Sequence, residues 1–340
     1  MKAVLLKKHG KSNVLKISEL PEPVPADNEV MVKIETIGLN YAEIVSRKGL
    51  YGWAPKLPYI PGMESCGEIV AIGKKVSHRK PGEKVIVGSQ FGTYAEYICV
   101  PEYQALKALK NFSSEENAAF AVNFITAYIS LFYLAKVKKG EKVLIHSAAG
   151  GVGSAATKLA LALGCEVFGT AGSVEKIKLL KKMGVQHAID YTNEDFEKKI
   201  NLITDGRGVD VVLELVGGAV FKKSMRLLLP FGRIITAGFT SLNLKKWNPF
   251  SWLRTYMDLP KSNIQEMMIK SLTMSSTHVG YLLDKPDLML HIYDEMLAFV
   301  LKHKIRPMVG RVFGFEEIRA AHEYMETRSS SGKVVLRVHS

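Results

Sequence analysis

Apolar residues recur in two rhythms along the chain. As far as residue 110 they form short runs rich in β-branched residues, namely Lys2–Leu6, Glu29–Ile37, Glu68–Ile72, Lys84–Val87 and Ala95–Val100. Glycines and the prolines at 21, 23, 25, 55, 58, 61 and 81 separate these runs. Such runs read as strands. Helices between them are mostly missing, so the pattern predicts an antiparallel, barrel-like domain rather than a doubly wound one.

After residue 140 strand and helix alternate. Strands are predicted over Lys142–Ser147, Cys165–Thr170, His187–Asp190, Val209–Val216 and Arg233–Ala237, with helices over Val152–Leu163, Val174–Met183 and Phe221–Leu229. This order predicts a parallel sheet with helices on both faces. The first helix is the clearest: Val152, Ala155, Ala156, Leu159, Ala160 and Leu163 fall on one face. Beyond it, 242–270 carries no assignable pattern. Leu272–Leu282 reads as a strand, 287–302 as a helix, and Val309–Phe313 and Lys333–Val338 as strands around a helix at Phe315–Glu326. These last strands are expected to rejoin the N-terminal domain.

The run Asn117–Ala135 has no charged residue and approaches the ~20 residues of a membrane span. It contains Asn123, Thr126, Ser130 and two tyrosines, and it opens with Ser113-Ser114-Glu115-Glu116, which fits a capping box. A single buried helix is predicted. The apolar run at the N-terminus is only four residues, too short for a signal-peptide core, and a cytoplasmic protein is expected.

Length and composition sharpen this picture. A chain of 340 residues exceeds one comfortable core, so two domains are expected. Hydrophobic residues make up 47% and charged residues 23%, which excludes disorder, collagen and coiled coil. The 46 basic and 33 acidic residues give a net charge of +13, which favours an anionic partner without choosing among a phosphate-bearing cofactor, nucleic acid or acidic membrane. Cys66, Cys99 and Cys165 are far apart, so neither a disulfide framework nor a cysteine-rich zinc site can form from them.

The best-defined chemistry is Ser147-Ala148-Ala149-Gly150-Gly151-Val152-Gly153, between a predicted strand and the amphipathic helix. Glycines there bring the backbone close to a pyrophosphate, and the helix N-terminus stabilises its charge. Ala148 replaces the first glycine of the G-x-G-x-x-G fingerprint, but the strand–turn–helix placement supports dinucleotide binding. An acidic residue after the next strand would hold the ribose of NAD. Here that strand ends Gly169-Thr170-Ala171-Gly172-Ser173, without a carboxylate. Ser173 and Lys176 can meet a 2′-phosphate, so NADPH is favoured over NADH.

Further motifs extend nearly end to end: Gly38-Leu39-Asn40-Tyr41, Gly49-Leu50-Tyr51, Pro61-Gly62-Met63-Glu64, the Ala148–Gly153 turn, Asp190-Tyr191, and Phe231-Gly232-Arg233-Ile234-Ile235-Thr236-Ala237-Gly238. With these the chain resembles the zinc-free quinone oxidoreductase branch, zeta-crystallin and VAT-1-like, of the medium-chain dehydrogenase/reductases. The resemblance implies a GroES-like domain over 1–122, an inserted Rossmann NADPH-binding domain over 123–283, and a return to the catalytic domain over 284–340. It implies that Asn40 and Thr126 line the nicotinamide, that Ala149, Gly150, Gly151, Val152, Gly153 and Gly238 belong to the cofactor site, and that Lys176 and Tyr191 lie at the adenosine phosphate. Tyr51 matches a proton donor proposed in related enoyl reductases. Each also admits a structural role: Asn40 in a turn, Thr126 in a bond within its helix, Tyr51 as an aromatic cover, Tyr191 as a partner of adenine.

Where zinc alcohol dehydrogenases carry ligands, this chain has Asn40, Met63 and Asn123, leaving Glu64 alone. A catalytic zinc needs about three protein ligands, so no metal is expected. The chemistry then implied is hydride transfer to a small hydrophobic quinone or enone. Relatives dimerise by pairing an edge strand that matches Leu272–Leu282, so a homodimer is expected; nucleic acid is not. The alternative is a VAT-1-like or crystallin-like nucleotide-binding module that touches anionic membranes through 242–270, where Lys245, Lys246, Trp247, Trp252 and Arg254 mix basic and aromatic residues.

Overall fold

The computed structural model describes residues 1–238 and 263–339. Lys245, Lys246, Trp247, Trp252 and Arg254 of the expected membrane-contact segment lie outside the described residues. The chain divides into two compact units. One contains Met1–Asn123, Gly280–Leu297 and the residues from Arg306 onward, and the other contains Phe124–Val279 and Ala298–Ile305.

In the first unit β1 (Lys2–Val4) and β2 (Ile17–Glu19) form an antiparallel pair. The main sheet is organised on β3 (Glu29–Leu39), whose buried positions alternate over its first half and become continuous toward its end. One edge of β3 pairs with β4 (Glu64–Ile72), followed outward by β5 (Lys84–Gly88) and β7 (Ala105–Lys107), while β6 (Tyr97–Pro101) pairs with the first half of its other edge. A short helix, α1 (Tyr41–Arg47), leaves the end of β3. Val30, Val32, Ile34, Val85 and Val100 are buried in the core of this sheet.

The expected single helix over Asn117–Ala135 is broken. Ser113 does cap a helix: its hydroxyl accepts from Glu116 N at 3.2 Å, and the Glu116 carboxylate accepts from Ser113 N at 2.9 Å. That helix, α2 (Ser114–Ala118), stops after five residues. A new one, α3 (Ala121–Tyr128), begins after a turn and runs into a π-helical stretch, Ile129–Leu134. The break has a side-chain cause. A carboxylate oxygen of Glu64 accepts from Val122 N at 3.0 Å, which gives α3 its own N-terminus, and Phe120 packs edge-on against Phe112 and Tyr293. Among the described residues no helix is long and apolar enough to cross a membrane.

The second unit holds a six-stranded parallel sheet: β8 (Lys142–Ile145), β9 (Glu166–Ala171), β10 (His187–Asp190), β11 (Val209–Glu214), β12 (Leu228–Thr236) and β13 (Thr273–Ser276), in the order β10-β9-β8-β11-β12-β13. This is the Rossmann order, with its topological switch between β8 and β11. The helix α4 (Gly151–Leu163) follows β8, and α5 (Val174–Lys182) follows β9. Ala155, Ala156, Leu159 and Ala160 of the expected apolar face are fully buried, and Gly164, with φ 88°, ends α4.

The strand expected over Leu272–Leu282 is shorter. β13 stops at Ser276, opposite Thr236 where its partner β12 ends, and Val279–Asp284 forms a 3₁₀ turn. Among the described residues β12 is the one strand paired with β13. Two of the helices that the apolar pattern missed, Tyr41–Arg47 and Phe196–Ile203, are each capped by local carboxylates, those of Glu43 and Asp195.

The chain finally returns to the first unit's sheet through β14 (Val309–Gly314) and β15 (Lys333–Arg337), with β15 antiparallel to the second half of β3. β14 and β15 are parallel, which corrects the wholly antiparallel expectation. The helix Ile318–Glu326 connects them and carries the chain back to the same end of the sheet, as a parallel pair requires.

Candidate active site

The second unit presents a glycine-rich turn between a strand and a helix. After β8 the chain bends at Ser147, a non-glycine residue at φ 50°, and Gly150 N donates to Ser147 O at 2.8 Å. Because Ser147 takes the left-handed conformation, Ala148 in the first glycine's place needs no positive φ, which accounts for the departure from the fingerprint. Ala148 N donates to Thr170 O at 3.0 Å and ties the turn to β9. Gly150 is the N-cap of α4, whose first-turn N–H groups lack partners within the helix. Gly153 packs against the turn so closely that a Cβ there would lie 2.1 Å from Ser147 O. Ala149, Gly150, Gly151, Val152 and Gly153 thus form one cradle at a helix N-terminus, suited to an anion.

Beside it, the ends of β9 and β10 bring three expected residues together. Ser173 caps α5, its hydroxyl oxygen accepting from Lys176 N at 3.3 Å. Tyr191 N donates to Ala171 O at 3.1 Å, and a Cβ on Gly172 would sit 2.4 Å from the Tyr191 hydroxyl, so this half-exposed ring rests directly on the Gly172 backbone. Lys176 is half-buried, and burial lowers its pKa from the ordinary lysine value. One residue here escaped the sequence reading: Glu175, in the first turn of α5. Its own backbone N–H and the Ser173 hydroxyl hold its carboxyl below the usual range. Gly238 follows β12 on the other side of β11, and Thr126 is buried on α3, where its carbonyl accepts from the Ser130 hydroxyl at 2.7 Å.

The first unit contains a buried polar network around Asn40. The Lys333 ammonium donates to Asn40 Oδ1 at 2.7 Å and forms an ion pair with Glu64. Asn40 Nδ2 donates to Glu64 at 3.1 Å and to Glu43 at 3.3 Å. The amide expected to line a nicotinamide is therefore engaged with the network on both its oxygen and its nitrogen. Glu43 also accepts from Asn40 N and Met63 N, each at 2.9 Å, and from the Tyr94 hydroxyl. Burial raises the Glu43 pKa, and the Asn40 and Tyr94 donors, with the Lys333 charge, oppose the rise.

Tyr94 in turn meets His322 Nε2 at 2.9 Å, and burial, aided by Arg47, pushes the His322 pKa down to about 3. A histidine kept neutral in the fold contributes stability that is complete above its unfolded value of 6.5 and is lost as pH falls toward 3. His322→Gln removes that dependence. Denaturant unfolding of the two proteins at pH 7.5 and pH 5.5 is expected to shift the stability difference toward the variant by about 1.4 kcal/mol for each unit below 6.5. A pH-independent difference would contradict the assignment.

Tyr51 lies in the turn after α1, with Ala54 N donating to its carbonyl at 3.1 Å. Desolvation, with Glu43 and Tyr281 adding to it, pushes its phenol up to about 12, so it holds its proton throughout the neutral range. Sequence reasoning missed Lys333, Glu43, Tyr94 and His322. Two signals were available: the Asn40-x-x-Glu43 spacing of a capping box, and a lysine that opens a strand of otherwise core-facing valines.

Comparison with known proteins agrees with this architecture. Residues 183–336 match the zinc-binding dehydrogenase family, and residues 26–110 match the alcohol dehydrogenase GroES-like domain. The synaptic vesicle membrane protein VAT-1 homolog of Rattus norvegicus is 34% identical over 340 residues, covering 99% of this chain and 84% of that protein. The quinone oxidoreductase of Homo sapiens is 35% identical over 240 residues, covering 70% of this chain and 73% of that protein. Among solved structures, Escherichia coli quinone oxidoreductase complexed with NADPH aligns over 99% of this chain and 100% of its own, at 27% identity and a TM-score of 0.88. A GroES-like unit joined to a Rossmann unit is the architecture of the medium-chain dehydrogenase/reductases. The chain belongs to their quinone oxidoreductase and VAT-1-like family.

Proposed function

We propose that this chain is a zinc-independent, NADPH-dependent reductase that transfers hydride to a quinone or an α,β-unsaturated carbonyl. The observation that carries the reading is the glycine cradle at the N-terminus of α4, beside a strand β9 that ends at Ala171 without a carboxylate. Bound NADPH supplies the hydride. The N-terminus of α4 holds the pyrophosphate, and Ser173 and Lys176 take the 2′-phosphate, with Tyr191 packed alongside. A phosphate beside Lys176 would also stabilise the charged form that half-burial disfavours.

On the acceptor side, a quinone or enone carbonyl needs a hydride and one proton. The Tyr51 phenol, protonated at neutral pH, donates a hydrogen bond to the carbonyl oxygen and then the proton. Independence from zinc is supported by Glu64, the one remaining family ligand position: its carboxylate is already satisfied by the Lys333 ammonium, the Asn40 amide and Val122 N. Among the described residues no three His, Cys, Asp or Glu side chains are grouped to hold a metal ion.

The test is oxidation of NADPH and NADH against a panel of quinones and enones, for the native chain and for Ala171→Asp. NADPH should be preferred by the native chain. The introduced carboxylate should lower kcat/KM for NADPH roughly tenfold, the equivalent of about 1.4 kcal/mol of like-charge repulsion, and spare NADH. A native preference for NADH defeats the cofactor assignment, and a panel with no reduced acceptor defeats the activity.

A further inference from the structure

The strand β11 ends on a buried carboxylate, Glu214. Both of its oxygens accept backbone N–H groups, Oε1 from Val216 N at 2.8 Å and Gly217 N at 3.0 Å, and Oε2 from Gly217 N at 2.8 Å. Accepting at both oxygens is the arrangement of an ionised carboxylate. Burial raises the Glu214 pKa, and the N–H groups of Gly217, Val216 and Leu215 oppose the rise. Among the described residues no lysine or arginine is paired with it, in contrast to Glu64, which has Lys333. The chain wraps around this carboxylate, with Gly217 at φ 87° and Gly218 at φ 60°, before it enters the helix Gly218–Arg226.

The loop that this carboxylate shapes lies at the carboxyl end of the sheet. Ala237 N donates to Glu214 O at 3.0 Å, and a Cβ on Gly238 would lie 3.7 Å from Leu215 O, so the loop borders the end of β12. On the other side His146 N donates to Leu213 O at 3.1 Å and ties β11 to the end of β8. In a doubly wound sheet a dinucleotide lies across the carboxyl ends of the strands at the topological switch, one nucleotide over each half. The glycine cradle and Ser173 belong to the half built on β8, β9 and β10, which leaves the half with β11, β12 and Glu214 to the nicotinamide. Loss of a hydride turns that ring from neutral to cationic, and a fixed charge in a water-poor interior acts over several ångströms. We infer that Glu214 is a positioning residue whose negative charge favours the oxidised, cationic ring over the reduced, neutral one, and so makes bound NADPH a stronger hydride donor. The inference rests on the reductase reading above and adds a residue to it.

The experiment uses the full chain in matched pairs, native against Glu214→Gln and Glu214→Asp against Glu214→Asn, so that each neutral side chain is compared with a carboxylate of its own length. Dissociation constants of NADP⁺ and NADPH are measured by calorimetry, with 2′,5′-ADP, which lacks the nicotinamide, as the control. In each pair the neutral member should raise the ratio of the NADP⁺ Kd to the NADPH Kd about tenfold, equivalent to about 30 mV for a two-electron couple, while the Kd of 2′,5′-ADP stays within about twofold. The ratio belongs to the binding-competent fraction, so a poorly folded variant lowers the stoichiometry and leaves the ratio unaltered; the Asp and Asn pair decides if the glutamine variant does not fold. A ratio that ignores the charge, or an affinity for 2′,5′-ADP that falls along with it, overturns the inference and leaves the reductase reading standing. A charge-dependent ratio found with NAD⁺ and NADH instead upholds the inference and overturns the NADPH assignment. A native chain that binds neither pair of nucleotides overturns both.

Discussion

Replacing Lys333 by Met should lower the free energy of unfolding by about 3–5 kcal/mol, the usual cost of removing one partner from a buried ion pair. Lys333 is 2% exposed and Glu64 is fully buried, so neither charge has water to fall back on. In the variant Glu64 keeps the Asn40 amide and Val122 N as donors but loses the Lys333 ammonium. A buried carboxylate without a counter-charge is costly to keep in the fold. Urea unfolding at pH 8 measures the loss. Lys333→Met combined with Glu64→Gln should regain most of the lost stability, because the second change removes the stranded charge. A single variant that loses less than about 1 kcal/mol at pH 8 would show that the pair is not what holds β15 against β3 at this point.

The parts of this chain that were legible in the sequence are those whose determinants lie within a few residues of one another. The face of α4 followed from a spacing of three and four, the Ser113 cap from a serine three residues before a glutamate, and the cradle from its place between strand and helix. What lay beyond reach was set by contacts across long separations. Asn40 and Lys333 are 293 residues apart, and Tyr94 and His322 are 228 apart, so nothing local marks Asn40 as the centre of a buried network. The lower end of β13 was misjudged because a strand stops where its partner stops, at Thr236, and not where its own apolar run ends. The break between α2 and α3 came from a carboxylate 58 residues upstream. Tyr191 reached Gly172 through the parallel register that aligns Asp190 with Ala171, a pairing no single segment reveals.

Gly153→Ala should weaken NADPH binding by on the order of 100-fold, the loss expected when a binding geometry is displaced by about 1 Å. An added Cβ would lie 2.1 Å from Ser147 O, 2.8 Å from Ser147 C and 2.9 Å from Ala148 Cα, all backbone atoms that no rotamer change can clear. The N-terminus of α4 has to back away from the turn, and the N–H groups proposed to hold the pyrophosphate move with it. Alanine is the better helix former by about 1 kcal/mol, which offsets part of the strain that the displacement costs the fold. Gly150→Ala is the control on the same turn. Gly150 has φ −78°, and its added Cβ would meet Ser147 O at 3.2 Å, which a shift of a few tenths of an ångström relieves. Its NADPH affinity should fall no more than about threefold, less than 1 kcal/mol. Fluorescence titration of NADPH into both variants separates the two positions. Equal affinities would mean that the close approach of α4 to Ser147 does not set the geometry of the phosphate cradle.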